Sequence, residues 1–307
     1  MSKEPGENEE REPEEEAGEE SEGIEQPGEV EEQPEEAGAG SLTEEATPTG
    51  TIYTFSFPKG KEVRYVFLSL AQLLNEGLFT MGPDGITLKA IDPSKVALIS
   101  LNIPSTALEE VNITETVKVG LIFDTVKKLA KRIRAKDKVE LGIDKGRGRF
   151  IMTIYYGAKG KESGMYRRFY LPIVDVSQEE VPELNIEYPT RVRMSIDQFY
   201  DALLAASEIS DAVTISIDPS AFSVRAIGDG GRYYEVQFQS SDEVFQEYAA
   251  SEKHEATYSL DYLLDMSRQM KPICEYVTIE LASNKPIKLT YEFASGYLTY
   301  FVAPRAA

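Results

Sequence analysis

Tryptophan is absent from the 307 residues, and cysteine and histidine occur once each, as Cys274 and His254. A single cysteine excludes an internal disulfide and fits a reducing compartment. Zinc ligands cannot be gathered at the usual Cys and His spacings. A Ser-His-Asp or Cys-His arrangement would have to use these single copies. His254 lies in a Ser-Glu-Lys-His-Glu stretch that reads as a solvated loop, and Cys274 lies in an apolar approach to a strand. Long apolar runs are also missing, with none near the roughly 20 residues of a membrane span. The acidic N-terminus has no basic-then-apolar leader. The expectation is a soluble protein of the cytoplasm, without metal or cofactor, and not an enzyme. Gly228-Asp-Gly-Gly231 and Gly157-Ala-Lys-Gly160 match no phosphate-binding fingerprint and read as turns between strands.

Charge is unevenly spread. The net charge is −21, but residues 1–50 hold 19 acids against 2 bases, which leaves 34 acids and 30 bases for the rest. The stretch 1–50 is Glu, Pro and Gly with little to bury, and reads as a disordered acidic tail. The body is nearly neutral.

From Thr51 onward, strand and helix patterns alternate. Ile52–Phe57 alternates as a strand, and Val63, Phe67, Leu70, Leu73 and Leu74 recur at helical spacing up to Gly77, a plausible stop. Three strands follow. A second helix is predicted from Ile122 to Ile133, and three more strands close the half. The segment 175–190 has Pro182, Pro189 and an acidic middle, so it is neither helix nor central strand but an extended connector. Beyond it the order repeats, and Ile86–Ile91 answers Phe222–Ile227 at an offset of 136. The reading is α+β: two similar sheet-dominated domains, 51–174 and 191–307, with all helices on one side of the sheets.

Six bases crowd into ten residues of the second helix and its end: Lys127, Lys128, Lys131, Arg132, Arg134 and Lys136. No aromatic residue is interleaved, which argues against stacking on single strands. A solvated face is one reading. The other is phosphate contact with a duplex, which gives position without sequence specificity.

Four blocks stand in order: Leu88-Lys-Ala-Ile-Asp-Pro-Ser-Lys-Val-Ala-Leu98, the connector from Val174-Asp-Val176 to Val181-Pro-Glu183, Glu208-Ile-Ser-Asp-Ala-Val213, and Leu298-Thr-Tyr-Phe-Val-Ala-Pro-Arg305. Together they resemble the sliding clamps of the proliferating cell nuclear antigen (PCNA) family, in its archaeal branch. The resemblance spans Thr51 to Ala307. It implies the DNA clamp fold, with three subunits in a ring, strands outside, and helices lining a hole around duplex DNA of the chromosome. It also implies DNA polymerase and a clamp loader as partners, and flap endonuclease and DNA ligase docking through PIP-type peptides with a Gln and paired aromatics.

Carried over by position, the DNA-facing set is Arg64, Lys127, Lys128, Lys131, Arg132 and Arg268. The peptide pocket is Ile91, Val96, Leu98, Val181, Pro182, Pro286, Phe301, Ala303 and Pro304. Subunits are expected to meet at edge strands through Tyr166, Arg167, Phe169, Tyr233 and Tyr234, in a homotrimer or in a heterotrimer with paralogues. The chain departs from the family pattern in helix Asp197–Ser207, which has acids and no base, and at Glu179 in the connector. A specialised subunit of a three-chain ring and a non-encircling acidic scaffold are the alternatives.

Overall fold

The computed structural model describes residues 52–306, apart from 178–180 and 183. The predicted acidic tail and Glu179 therefore lie outside the described residues.

The first half opens with β1 (Ile52–Phe57), then α1 (Gly60–Leu73), β2 (Glu76–Gly82), β3 (Gly85–Ile91) and β4 (Ala97–Pro104). It continues with β5 (Glu110–Asn112), β6 (Val117–Ile122), α2 (Phe123–Ala130), β7 (Lys138–Asp144), β8 (Arg149–Tyr155) and β9 (Tyr166–Pro172). The second half runs β10 (Thr190–Ser195), α3 (Ile196–Ser207), β11 (Ala212–Ile217), β12 (Ala221–Ile227) and β13 (Tyr233–Gln239). It ends with β14 (Phe245–Ala250), β15 (His254–Ser259), α4 (Leu260–Met270), β16 (Tyr276–Leu281), β17 (Ile287–Phe293) and β18 (Gly296–Val302).

All strand pairs are antiparallel, and each half builds a five-stranded and a four-stranded layer. The first half gives β5-β1-β7-β8-β9 and β6-β2-β3-β4; the second gives β14-β10-β16-β17-β18 and β15-β11-β12-β13. One extra pairing, β18 on β4, fuses two of these layers into a nine-stranded sheet across the halves.

Helices form where apolar residues recur on one face. In α1, Val63, Val66, Phe67 and Leu70 are buried at positions i, i+3, i+4 and i+7. Each such burial stabilises by roughly 1.5–3 kcal/mol. The helices pack side by side in the order α2, α1, α4, α3. They make one row, as the predicted sidedness requires. Among the described residues no helix is long and apolar enough to cross a membrane.

Polar ties reinforce the joint between halves. The Ser69 and Tyr300 hydroxyls lie 2.7 Å apart, and Tyr262 OH donates to Asp92 at 2.7 Å. The buried Glu62 carboxylate accepts the Ser295 N–H at 2.9 Å and the Ser295 hydroxyl.

Four local expectations need correction. Strands β5 and β14 were not anticipated. Helix α2 stops at Ala130, and the next residues turn through i→i+3 bonds, Arg132 to Leu129 and Ile133 to Ala130. Gly77 does not stop α1; it lies in β2, where a Cβ would come within 2.7 Å of the Phe123 ring. His254 is not in a solvated loop. It opens β15 with a half-buried ring, Nδ1 lying 3.2 Å from the Ser283 hydroxyl and Nε2 3.2 Å from Glu252.

Candidate nucleic-acid interface, groove and free edges

The bases of the second helix divide by what holds them. Phe123, Val126 and Ala130 fix the buried face of α2, and Ile133 extends it. Lys127 Nζ donates to Gln72 of α1 at 3.1 Å, and Lys128 pairs with Asp124 at 2.7 Å. Lys128 holds the Asp124 carboxyl below its usual range. Lys131, Arg132, Arg134 and Lys136 are exposed in the turn beyond. That turn is held from three sides: Arg64 Nη1 donates to Ile133 O at 2.7 Å, Arg167 Nη2 to Arg132 O at 3.4 Å, and Arg134 N–H to Asp137 at 2.9 Å. Arg64 is thus committed to positioning the basic turn.

The second half is different. Arg268 is exposed on α4 and pairs with Asp265 at 3.0 Å. Lys271 at the end of α4 reaches Asp197 at 3.1 Å and Asp201 at 3.5 Å on α3, and its ammonium lies over the Tyr200 ring. Asp197, the larger influence, and Asp201 keep that lysine more basic than usual.

The connector is anchored at both ends. Val174 N–H donates to Gly120 O at 3.0 Å, where a Cβ on residue 120 would come within 2.1 Å of Val174 O. At the other end Tyr188 OH donates to Pro286 O at 2.9 Å. Between the connector and the outer face of the nine-stranded sheet lies a groove of about 510 Å³. Leu98, Val181, Pro182 and Phe301 come together there, joined by Leu184 and the half-exposed Tyr297. Ile91 lines an adjacent groove of about 440 Å³ that shares Val181. Val96, Pro286, Ala303 and Pro304 line neither, although Ala303 N–H bonds Val96 O at 2.8 Å beside them.

The groove floor is less apolar than the sequence implied. One cross-strand row reads Arg191, Glu280, Lys288, Phe301, Leu98. The next reads Arg193, Thr278, Thr290, Thr299, Ser100, Lys89. Its apolar end is confined to Leu98, Phe301 and the connector residues above them.

Burial pushes the Cys274 thiol up to about 12, so it has little thiolate character near neutral pH.

Strands β9 and β13 are free edges. Exposed apolar side chains gather on them and beside them: Met165 and Tyr166 at β9, Ile227 and Tyr233 at β13. Equivalent hydrogen bonds align the halves, Gly60 N–H to Asp137 O and Ile196 N–H to Glu275 O, both 3.1 Å. Following the registers from there sets Val139 on Val277, Phe150 on Ile287 and Leu171 on Val302. Likewise Ile86 falls on Phe222 and Ile103 on Phe238. So β9 is the counterpart of β18, and β13 the counterpart of β4. The two free edges are equivalent to the two strands already paired inside the chain.

A family profile described as the N-terminal domain of proliferating cell nuclear antigen matches residues 55–179, and the C-terminal domain profile matches 181–306. The chain belongs to this family. It is 43% identical over 249 residues to DNA polymerase sliding clamp 2 of Pyrobaculum aerophilum, covering 81% of this chain and 97% of that one. It is 30% identical to the DNA polymerase sliding clamp of Thermofilum pendens, over 82% and 98%. Among solved structures, PCNA from Thermococcus kodakaraensis shares the fold with a TM-score of 0.75 at 21% identity, covering 82% of this chain and all of that one. A PCNA2–PCNA3 complex from Sulfolobus tokodaii matches with a TM-score of 0.74 at 25% identity, over 83% and 100%. The fold is the DNA clamp fold of the family.

Sequence reasoning missed Tyr297, Leu184 and the charged floor of the groove, and Arg168 and Glu235 on the free edges. None carries a motif: strand register singles out the sheet residues, and the path of the connector over the sheet singles out Leu184.

Proposed function

We propose that the chain is one subunit of a DNA sliding clamp that encircles duplex DNA as a three-subunit ring and tethers polymerase to it. The observation that carries the reading is the equivalence of the free edges β9 and β13 to the internal junction β18–β4. A chain with such edges continues head to tail, and closure of a heterologous contact gives a ring. Closure also removes two edges that would otherwise invite aggregation.

Transferring the internal register to the edges sets the contact. Tyr300 opposite Ile99 becomes Phe169 opposite Tyr234, and Thr299 opposite Ser100 becomes Arg168 opposite Glu235. Tyr170 then faces Tyr233, and Tyr166 faces Gln237. Opposite charges face each other across the seam.

Within the ring, residues 51–174 and 191–307 act as the two clamp domains and 175–190 as their connector. Lys131, Arg132, Arg134 and Lys136 contact phosphates without reading sequence. The groove accepts an extended peptide whose apolar side chains enter between Leu98, Phe301 and Val181. Partners of this kind are polymerase, flap endonuclease and ligase, with a separate loader opening the ring. The clamp works by topology on chromosomal DNA. Primer extension on a circular template tests the reading: added chain should lengthen products, and Lys131→Glu with Arg132→Glu should abolish the gain. Persistence of the gain in that variant would remove these bases from the DNA-facing set.

A second reading is favoured by the PCNA2–PCNA3 neighbour: the same edges join this chain to different paralogues. Mixing with such paralogues, followed by mass measurement, separates the two.

A further inference from the structure

The outer face of β17 and β18 carries its side chains in a definite order. Lys288 stands opposite Phe301, Thr290 opposite Thr299, and Glu292 opposite Tyr297. All six line the groove beneath the connector. The floor therefore sets a charge beside an aromatic ring at each end, with hydroxyls between. The base stands by Phe301 and the acid by Tyr297. Phe301 and Tyr297 share a face four residues apart, about 13 Å along the strand.

The two ends differ in what they leave open. Lys288 is bonded to Glu280 at 2.7 Å, and that acid, its side chain only 14% exposed, also lies 3.5 Å from Arg191. Glu292 keeps 51% of its side chain exposed, although Arg193 pairs with it at 2.8 Å. Arg193 is itself fixed: it donates to Thr278 Oγ1 at 3.2 Å and to Gln246, and its guanidinium lies over the Tyr276 ring. It orients the Glu292 carboxylate without lining the groove. A carboxylate accepts at several positions on its two oxygens, so one pair leaves room for a second donor. Tyr297 is 41% exposed, whereas Tyr300 on the same strand and Tyr291 on β17 turn inward and are fully buried. An open tyrosine ring beside an open carboxylate suits a cation on a long apolar stem. A guanidinium can stack on the one while bonding the other.

We propose that the Tyr297 end of the groove is a subsite for a basic side chain, arginine above all, of the docked partner peptide. It lies about four residues of extended chain from the side chain that enters at Phe301. A base at the opposite end would meet Lys288, so the subsite also fixes the direction in which the peptide lies. The inference rests on the peptide-groove reading and adds what the flank of the peptide carries.

Fluorescence anisotropy with the full chain tests it. The probe is a labelled peptide bearing a Gln and paired aromatics, alongside copies with one arginine placed two, four or six residues beyond the aromatics on either side. Arginine four residues away on one side should tighten binding about five- to tenfold, with a smaller gain at high salt. That gain, taken as the ratio of the two peptides on the same protein, should vanish in Glu292→Gln, shrink in Tyr297→Leu and become a loss in Glu292→Lys. No gain at any position, or a gain that survives in both Glu292→Gln and Tyr297→Leu, would overturn the subsite. The groove reading stands apart from that result where the parent peptide binds and loses affinity in Phe301→Ala. A parent peptide that fails to bind, or that binds Phe301→Ala as well as wild type, removes the groove reading and the subsite with it.

Discussion

Reversing one charge on a free edge, Glu235→Arg, should take the ring apart without unfolding the chain. Glu235 is exposed on β13 and accepts a 2.8 Å hydrogen bond from Tyr233 OH. Its proposed partner, Arg168, is held on β9 by Thr153 at 3.1 Å, with the guanidinium over the Tyr166 ring. Both side chains are thus oriented before they meet. An opposite-charge pair directly across an antiparallel ladder contributes about 0.2–1 kcal/mol, and a like-charge pair costs a similar amount. The change from one to the other is then about 1.5 kcal/mol per junction. Three junctions make about 4.5 kcal/mol, roughly three powers of ten in the assembly constant. Light scattering on dilution should show Glu235→Arg falling to monomers where wild type is trimeric, with an unchanged melting temperature at low concentration. The double exchange Arg168→Glu with Glu235→Arg should reassemble. If Glu235→Arg assembles like wild type, the transferred register is wrong.

Ser240 N–H to Ser220 O and Gly228 N–H to Arg232 O turn the even-numbered residues of β13 inward. Gln237→Pro therefore removes only an outward donor and should abolish assembly while preserving the fold, whereas Val236→Pro should destabilise the chain itself; equal urea midpoints for the two variants would contradict this. In the groove, Phe301→Ala should weaken a fluorescent peptide bearing a Gln and paired aromatics by at least about 1 kcal/mol, and unchanged binding would move the site elsewhere. Acid should loosen the fold through Glu115, held low by Lys145 and Tyr53, and Asp211, held low by Arg305. Their folded values lie below their unfolded ones, so the stability they add is complete above the ordinary carboxylate range of about 4 and is lost as pH falls through the depressed values. Asp211→Asn should flatten the urea midpoint in that acidic window, and an undiminished slope would count against the Arg305 pair.

Much of the fold could be read in the residues because the strands alternate and the helices bury a regular stripe. Strand β1 lies where the alternation places it, and Val63, Phe67 and Leu70 of the first helix fall on its buried face as the spacing requires. The strands that escaped, β5 and β14, share one physical cause. They are equivalent edge strands, paired on one side only, one three residues long and the other largely exposed. Neither carries a clean apolar alternation. The overrun of α2 arose because Ile133 stays on the buried face through i→i+3 turns, which periodicity cannot separate from helix. The helix bases were legible as a cluster, but not their division. Only the structure shows that Arg64 holds the Ile133 carbonyl, or that Lys127 is occupied by Gln72. The groove was legible at Leu98, Val181, Pro182 and Phe301, while its charged floor depends on registers between strands far apart in sequence.

The central claim is that β9 and β13 of this chain close a ring. The solution mass of the purified full chain, by light scattering across a dilution series, tests it most directly. The chain should have a mass of three copies, falling to one only on extensive dilution. A single-chain mass at every concentration would contradict closure by the chain's own edges.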